Sequence, residues 1–148
     1  MALWTPAEIT TALWLDASDE PTLTRDGSSN VTTWADKSGN GRDATGVQAT
    51  DASTLARQSM SFAGNSRMLV PHHADFSASG GISIFGVVKY SNTLNNKGWL
   101  GKWSPEDWLF WNNTTGQHQF AVRIGSNIGA TQAKDTDPHV WSGVFGDG

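Results

Sequence analysis

The chain has 148 residues, ten basic and fourteen acidic side chains, a formal charge of −4 and no cysteine. A length of this order suits one domain with its own core. The missing thiols exclude disulfide frameworks, thiolate catalysis and cysteine-held zinc or iron–sulfur centres, and the negative balance argues against a nucleic-acid footprint.

The composition leans towards β-structure. Fifteen Thr, fifteen Ser, nine Asn and sixteen Gly stand against three Glu, a mixture that favours turns and strand surfaces over exposed helix faces. At the start, Thr5 reads as an N-cap, Pro6 as the first helical position and Glu8 as the third member of a capping box, with Trp4 and Ile9 as a hydrophobic staple. The predicted helix is short, because Thr11 to Ala17 reads as a strand that Asp19-Glu20-Pro21 ends. Residues 1–11 are thus expected to be a capping segment and 12–148 a single β domain. The opening MALWTPAEIT lacks the basic and apolar regions of a secretion signal.

Val31 to Ala35 alternates as a strand, and Lys37 to Gly41 is a loop. Residues 46–58, GVQATDASTLARQ, are the least patterned and are expected to form a long loop. Ser59 to Val70 holds two short strands around the Gly64-Asn65 turn. Gly81 to Tyr90 is the strongest strand signal. Ile82, Ile84, Val88 and Tyr90 share one face, Phe85 and Val87 the other, and apolar residues on both predict a central strand covered on each side. No apolar run approaches the ~20 residues of a membrane-spanning helix. Gly98 to Trp103, Trp108 to Trp111, Gln119 to Ile124 and His139 to Phe145 are further strands, with NNTTG at 112–116 as a hairpin loop. About nine short strands separated by turns predict an all-β, two-sheet antiparallel sandwich or jelly roll. In the last strand Val140, Trp141, Val144 and Phe145 read as buried. Gly146-Asp147-Gly148 reads as a turn with one arm, which implies a truncated domain or an open edge completed by another chain.

Few residues promise bond-breaking chemistry. Glycoside hydrolysis needs two carboxyls about 5–9.5 Å apart. Glu occurs only at 8, 20 and 106, none with a second acid two residues on along a plausible strand, and Glu106 and Asp107 would point to opposite faces. No serine sits in a nucleophile elbow beside His72, His73, His118 or His139, and His72-His73 reads as an exposed loop pair. The loop from Asp36 to Asp43 has oxygen donors at Asp36, Asn40 and Asp43 that could wrap Ca²⁺. The same residues, with Gly39 and Gly41 at positive φ, make an ordinary tight turn, and Asp16 and Asp19 could join either arrangement. Trp99, Trp103, Trp108 and Trp111 cluster on the chain. They either fill the space between two sheets, burying ~150–250 Å² each, or leave Trp103 and Trp108 exposed beside the 104–107 loop. In the second case Asn112, Asn113 and Gln117 would add hydrogen bonds to a stacked ligand such as a sugar or to a partner. Lys97 and Lys102 make no basic patch.

Two stretches carry a resemblance. Leu13-Trp14-Leu15-Asp16-Ala17-Ser18-Asp19, followed by Val31, Trp34 and Asp36-Lys37-Ser38-Gly39-Asn40-Gly41-Arg42-Asp43-Ala44-Thr45, resembles the N-terminal part of concanavalin A-like, laminin-G-like jelly-roll domains. These domains occur in bacteriophage structural proteins and bacterial surface proteins. Ser61-Phe62 with Leu69-Val70, Phe76 with Gly81 to Val88, and His139 to Phe145 are similar to later strands of that family, in which a further hairpin and strands follow the point where this chain ends. The resemblance implies two stacked antiparallel sheets but no single function, since the family holds sugar binders, glucanases, adhesion modules and virion decorations. The Glu-x-Asp-x-Glu strand of its glucanase branch is missing here. The resulting expectation is a non-enzymatic structural or binding module of a bacteriophage virion, a capsid decoration, fibre or tail-associated protein. Its partners would be other virion subunits or copies of itself, with no cofactor beyond the candidate Ca²⁺, no nucleic acid and no membrane insertion. The alternative is a carbohydrate-binding adhesion module, extracellular or at a cell surface, that meets a host glycan.

Overall fold

The computed structural model describes residues 6–51, 59–63, 66–78, 81–91, 97–102, 108–112, 115, 117–124, 126–133 and 135–146. The chain divides into two compact units, Met1–His72 and His73–Gly148. Every strand pairing in both is antiparallel. Among the described residues the only helical pieces are single 3-10 turns, and none is long and apolar enough to cross a membrane. Pro6–Glu8 is one such turn, where the sequence predicted a short helix of about one to two turns; the proposed cap Thr5 and staple Trp4 lie outside the described residues.

The first unit carries β1 (Leu23–Arg25), β2 (Asn30–Trp34), β3 (Ala44–Asp51), β4 (Met60–Ser61) and β5 (Arg67–Leu69). The order is β1-β2-β3, with β4 and β5 both on the far side of β3. The two short strands expected around Gly64-Asn65 therefore exist, but each pairs with β3 rather than with the other, at Thr50–Asp51 and Thr45–Val47. Over 46–51 this corrects the reading of residues 46–58 as one long loop, since β3 runs through Asp51 and holds the sheet together; residues 52–58 lie outside the described residues. The ladder of β3 is made by backbone groups, which need no apolar side chains. Among the described residues Leu23, Val31 and Ala44 are the buried apolar residues of this unit.

A second correction concerns Thr11 to Ala17, which forms no strand. Its main-chain groups bond instead to side chains of the loop after β2, as described below. A chain whose N–H and C=O groups are satisfied in this way has no need of a ladder.

The second unit carries β6 (Ile82–Val88), β7 (Lys97–Lys102), β8 (Trp108–Asn112), β9 (Gln117–Ile124), β10 (Ser126–Ala133) and β11 (His139–Phe145). Strands β7 to β10 form a meander in the order β10-β9-β8-β7, while β6 and β11 form a separate two-stranded ribbon. The 112–116 connection joins β8 to β9 as predicted, and β10 was not foreseen. The ribbon packs on the meander. Alternation aims Ile82, Ile84, Gly86 and Val88 of β6, and Trp141, Gly143 and Phe145 of β11, at Trp108, Phe110, Phe120 and Val122. Gly86 and Gly143 mark the points of closest approach. A Cβ on Gly86 would stand 2.6 Å from the Trp99 ring, and one on Gly143 would stand 2.6 Å from the Phe120 ring. In β7 the pairing slips between Gly98 and Leu100, and both Trp99 and Leu100 pack against the core. An extra residue in one strand is what allows successive side chains to turn the same way.

Candidate functional site

The Asp36–Asp43 loop is a closed hydrogen-bond device. Asp36 Oδ1 accepts the main-chain N–H groups of Trp14 (3.0 Å) and Ser38 (2.9 Å), and Oδ2 accepts the Ser38 hydroxyl (2.6 Å) and the Arg42 N–H (3.1 Å). Asp43 Oδ1 accepts the Asp36 N–H at 2.9 Å. The Asn40 amide donates to the carbonyls of Thr11 and Ala12, and the Arg42 guanidinium also donates to Ala12. Gly39 and Gly41 have φ of 86° and 65°, the left-handed values that a turn of this kind asks of glycine. Partial burial pushes the Asp36 carboxyl up, but the hydrogen bonds from Ser38, Trp14 and Arg42 outweigh it and hold the group below the usual carboxylate range. Asp16 behaves alike: burial opposes, and Ser18 and Lys37 win.

Asp16 and Asp19 converge on Lys37. Its Nζ lies 3.0 Å from Asp16, 2.6 Å from Asp19 and 4.4 Å from the centre of the Trp14 ring. Among the described residues no three His, Asp or Glu side chains converge as a metal site. His72 and His73 are exposed, and His73 Nδ1 accepts the Asp75 N–H to cap the 3-10 turn Ala74–Phe76.

The tryptophans on β7 and β8 face mostly inward. Trp108 is 9% exposed and its indole N–H donates to the Phe76 carbonyl at 2.7 Å. This corrects the expectation that Trp108 is an exposed stacking residue: its ring is core and its polar atom is spent internally. Trp99 stacks obliquely on Phe110, with centroids 4.8 Å apart. Trp111 donates its indole N–H to Gln119 at 3.0 Å. Asn112 is fully buried and bonded to His118, so it too is withdrawn from any surface site. Gln117 accepts the Thr115 hydroxyl at 3.2 Å. Trp103 and Asn113 lie outside the described residues.

The surface that remains is the outer face of the β6–β11 ribbon. Phe85, Val87, Val140 and Val144 are 61%, 77%, 78% and 70% exposed, which corrects both the covered second face of β6 and the burial of Val140 and Val144. The register sets Val87 directly opposite Val140, Phe85 opposite Ser142 and Ser83 opposite Val144. The six outward positions within the two strands thus hold four large apolar groups and two serines, none of them charged. Among the described residues β6 and β11 pair only with each other. The signal for this face was present in the sequence, because apolar residues occupy both parities of 82–88 and 139–145. Gly86 and Gly143 disclose which parity points inward.

Against known proteins, the chain matches no family model, no curated protein and no solved structure.

Proposed function

We propose that the chain is a non-enzymatic module that works by protein–protein contact through the outer face of the β6–β11 ribbon, within a jelly-roll sandwich of the concanavalin A-like kind. The observation that carries the proposal is the alignment of Phe85, Val87, Val140 and Val144 on one uncharged, exposed face. Contiguous exposed apolar surface of this sort marks an interaction site. A second sheet laid on it would bury the four side chains at the usual ~10 Å spacing.

The first partner is a second copy of the chain. A face without charge is complementary to itself, and a two-fold axis would bring the Val87–Val140 pair of one copy against that of the other. The resemblance to bacteriophage structural domains supports virion subunits as the wider class of partner and the virion as the location. The non-enzymatic reading is supported by the commitment of Asp16, Asp36 and Asp43 to turn hydrogen bonds and of the Glu20 carboxylate to Arg25.

Light scattering of the purified chain over a wide concentration range tests the proposal, alongside the single variant Val87→Lys. The expected result is an assembly for the natural chain and a monomer for the variant, with a melting temperature equal to that of the natural chain diluted to its own monomer. A natural chain that stays monomeric throughout would refute self-association. A monomeric variant that melts below the natural chain's own monomer would show the face to be covered by the chain's own residues.

A further inference from the structure

The inward face of β9 ends in a polar group that packing alone does not require. His118 is 1% exposed and lies directly across the β8–β9 ladder from Asn112. Its Nδ1 meets Asn112 Oδ1, and its Nε2 meets the main-chain N–H of Asp135, 3.3 Å away in the connection between β10 and β11. A main-chain N–H can only donate. Nε2 must therefore accept, the ring proton must sit on Nδ1, and Asn112 must turn its oxygen to the ring. The hydrogen bonds assign one neutral tautomer.

We infer that neutral His118 is an acid-operated latch: its Nε2 holds the β10–β11 connection by the Asp135 amide, and protonation of the ring releases that connection. A proton on Nε2 would point at the Asp135 N–H, setting donor against donor in a nearly dry site, so the ring takes up the proton only once Asp135 has moved away.

The described titratable groups facing the ring are few. Tyr90 stacks on it at 4.9 Å, and burial keeps that phenol un-ionised. His139 lies 6.3 Å off, and Trp141 packs edge-on at 5.1 Å. The Asp135 carboxylate is turned to His139 Nε2 at 2.6 Å and to the Asp137 N–H at 2.9 Å. The hydrogen bond from His139 holds this carboxyl below its ordinary range, so it stays ionised in mild acid. The carboxylate tether thus survives the change that breaks the amide tether, which confines the opening to the connection and leaves β11 in place.

Nitrogen-15 NMR of the full chain tests the latch. At about pH 7.5 the His118 ring is expected as the Nδ1–H tautomer. As pH falls below the ordinary imidazole value of ~6.5, the protection factor of the Asp135 amide is expected to drop about tenfold per pH unit, the signature of one proton taken up on opening. Amides in the middle of β9 should hold their protection over the same range. In His118→Gln, which has no titrating ring, the Asp135 protection should become independent of pH. An Nε2–H tautomer, or a pH-independent Asp135 amide in the natural chain, would overturn the inference. So would an equal loss of protection throughout β9, which is global unfolding. The tautomer and the protection factors are read on the natural chain, so the test survives a variant that fails to fold.

Discussion

Replacing Asp36 with alanine removes four hydrogen-bond acceptances at once, and the structure allows their worth to be worked out separately. The two bonds to Ser38 close a local two-residue turn. The other two reach further, to Trp14 N–H at 3.0 Å, twenty-two residues away, and to Arg42 N–H at 3.1 Å across the loop, and all four are part-buried. A hydrogen bond to a charged acceptor contributes roughly 1.5–3 kcal/mol when water is excluded. At the low end, apt for partial exposure, two such bonds come to about 3 kcal/mol. In a cooperative unit of this size that lowers the melting temperature by roughly 10 °C or more. Asp36→Asn keeps one oxygen for Trp14 and Ser38 but turns a donor towards the Arg42 N–H, and should cost about half as much. Protonation is the third form of the same perturbation. Because the folded carboxyl lies below its unfolded value, its stabilisation is fully present above the ordinary Asp value of ~3.9 and is lost as pH falls through the lower folded value. Thermal melts of the three proteins, with amide exchange at Trp14 and Arg42, measure all of this. An alanine variant within ~0.5 kcal/mol of the natural chain, or protected Trp14 and Arg42 amides in it, would refute the claim that this carboxylate holds the segment.

Gly143→Ala would put a methyl group 2.6 Å from the Phe120 ring, an overpacking expected to cost about 1–3 kcal/mol; it should lower the denaturant midpoint and leave the m-value unchanged. Calcium should leave the melting temperature where chelator leaves it, since both Asp36 oxygens and Asp43 Oδ1 already accept hydrogen bonds; a rise with calcium would show that the loop rearranges to bind the ion.

The strands that could be read from the sequence are those whose side chains alternate against a packed layer. Ile82 to Val88 and His139 to Phe145 each place one parity on the Trp108–Phe110–Val122 core, and that periodicity is visible without coordinates. Strand β3 was not legible, because Ala44–Asp51 is mostly small and polar and is held by backbone pairing to three neighbours. The same reason hid β10. Thr11 to Ala17 misled in the opposite direction: Leu13, Trp14 and Leu15 look like strand residues, but the donors and acceptors around them belong to Asp36, Asn40 and Arg42. At the candidate site, spacing along the chain put Trp108 beside a loop. It could not reveal that the indole N–H reaches back thirty-two residues to Phe76.

The outer face of the ribbon bears most directly on function, because its composition is not what an isolated surface strand would carry. Exposed strands invite association, and solvent-facing ribbons normally counter it with lysine, proline or a bulge. Here the six outward positions hold Ser83, Phe85, Val87, Val140, Ser142 and Val144, and the β6–β11 register runs without a shift. The inward positions show that residue choice in these strands is under tight control, since two of them are reduced to glycine to admit Trp99 and Phe120. The large β-branched and aromatic groups on the other parity are mostly exposed, so they add little to packing beyond cross-strand pairs such as Val87–Val140. Their contribution comes when another surface covers them. A charge at Val87 or Val140 would cost the isolated fold almost nothing, so its effect on assembly alone is the sharpest separation between a contact face and a tolerated one.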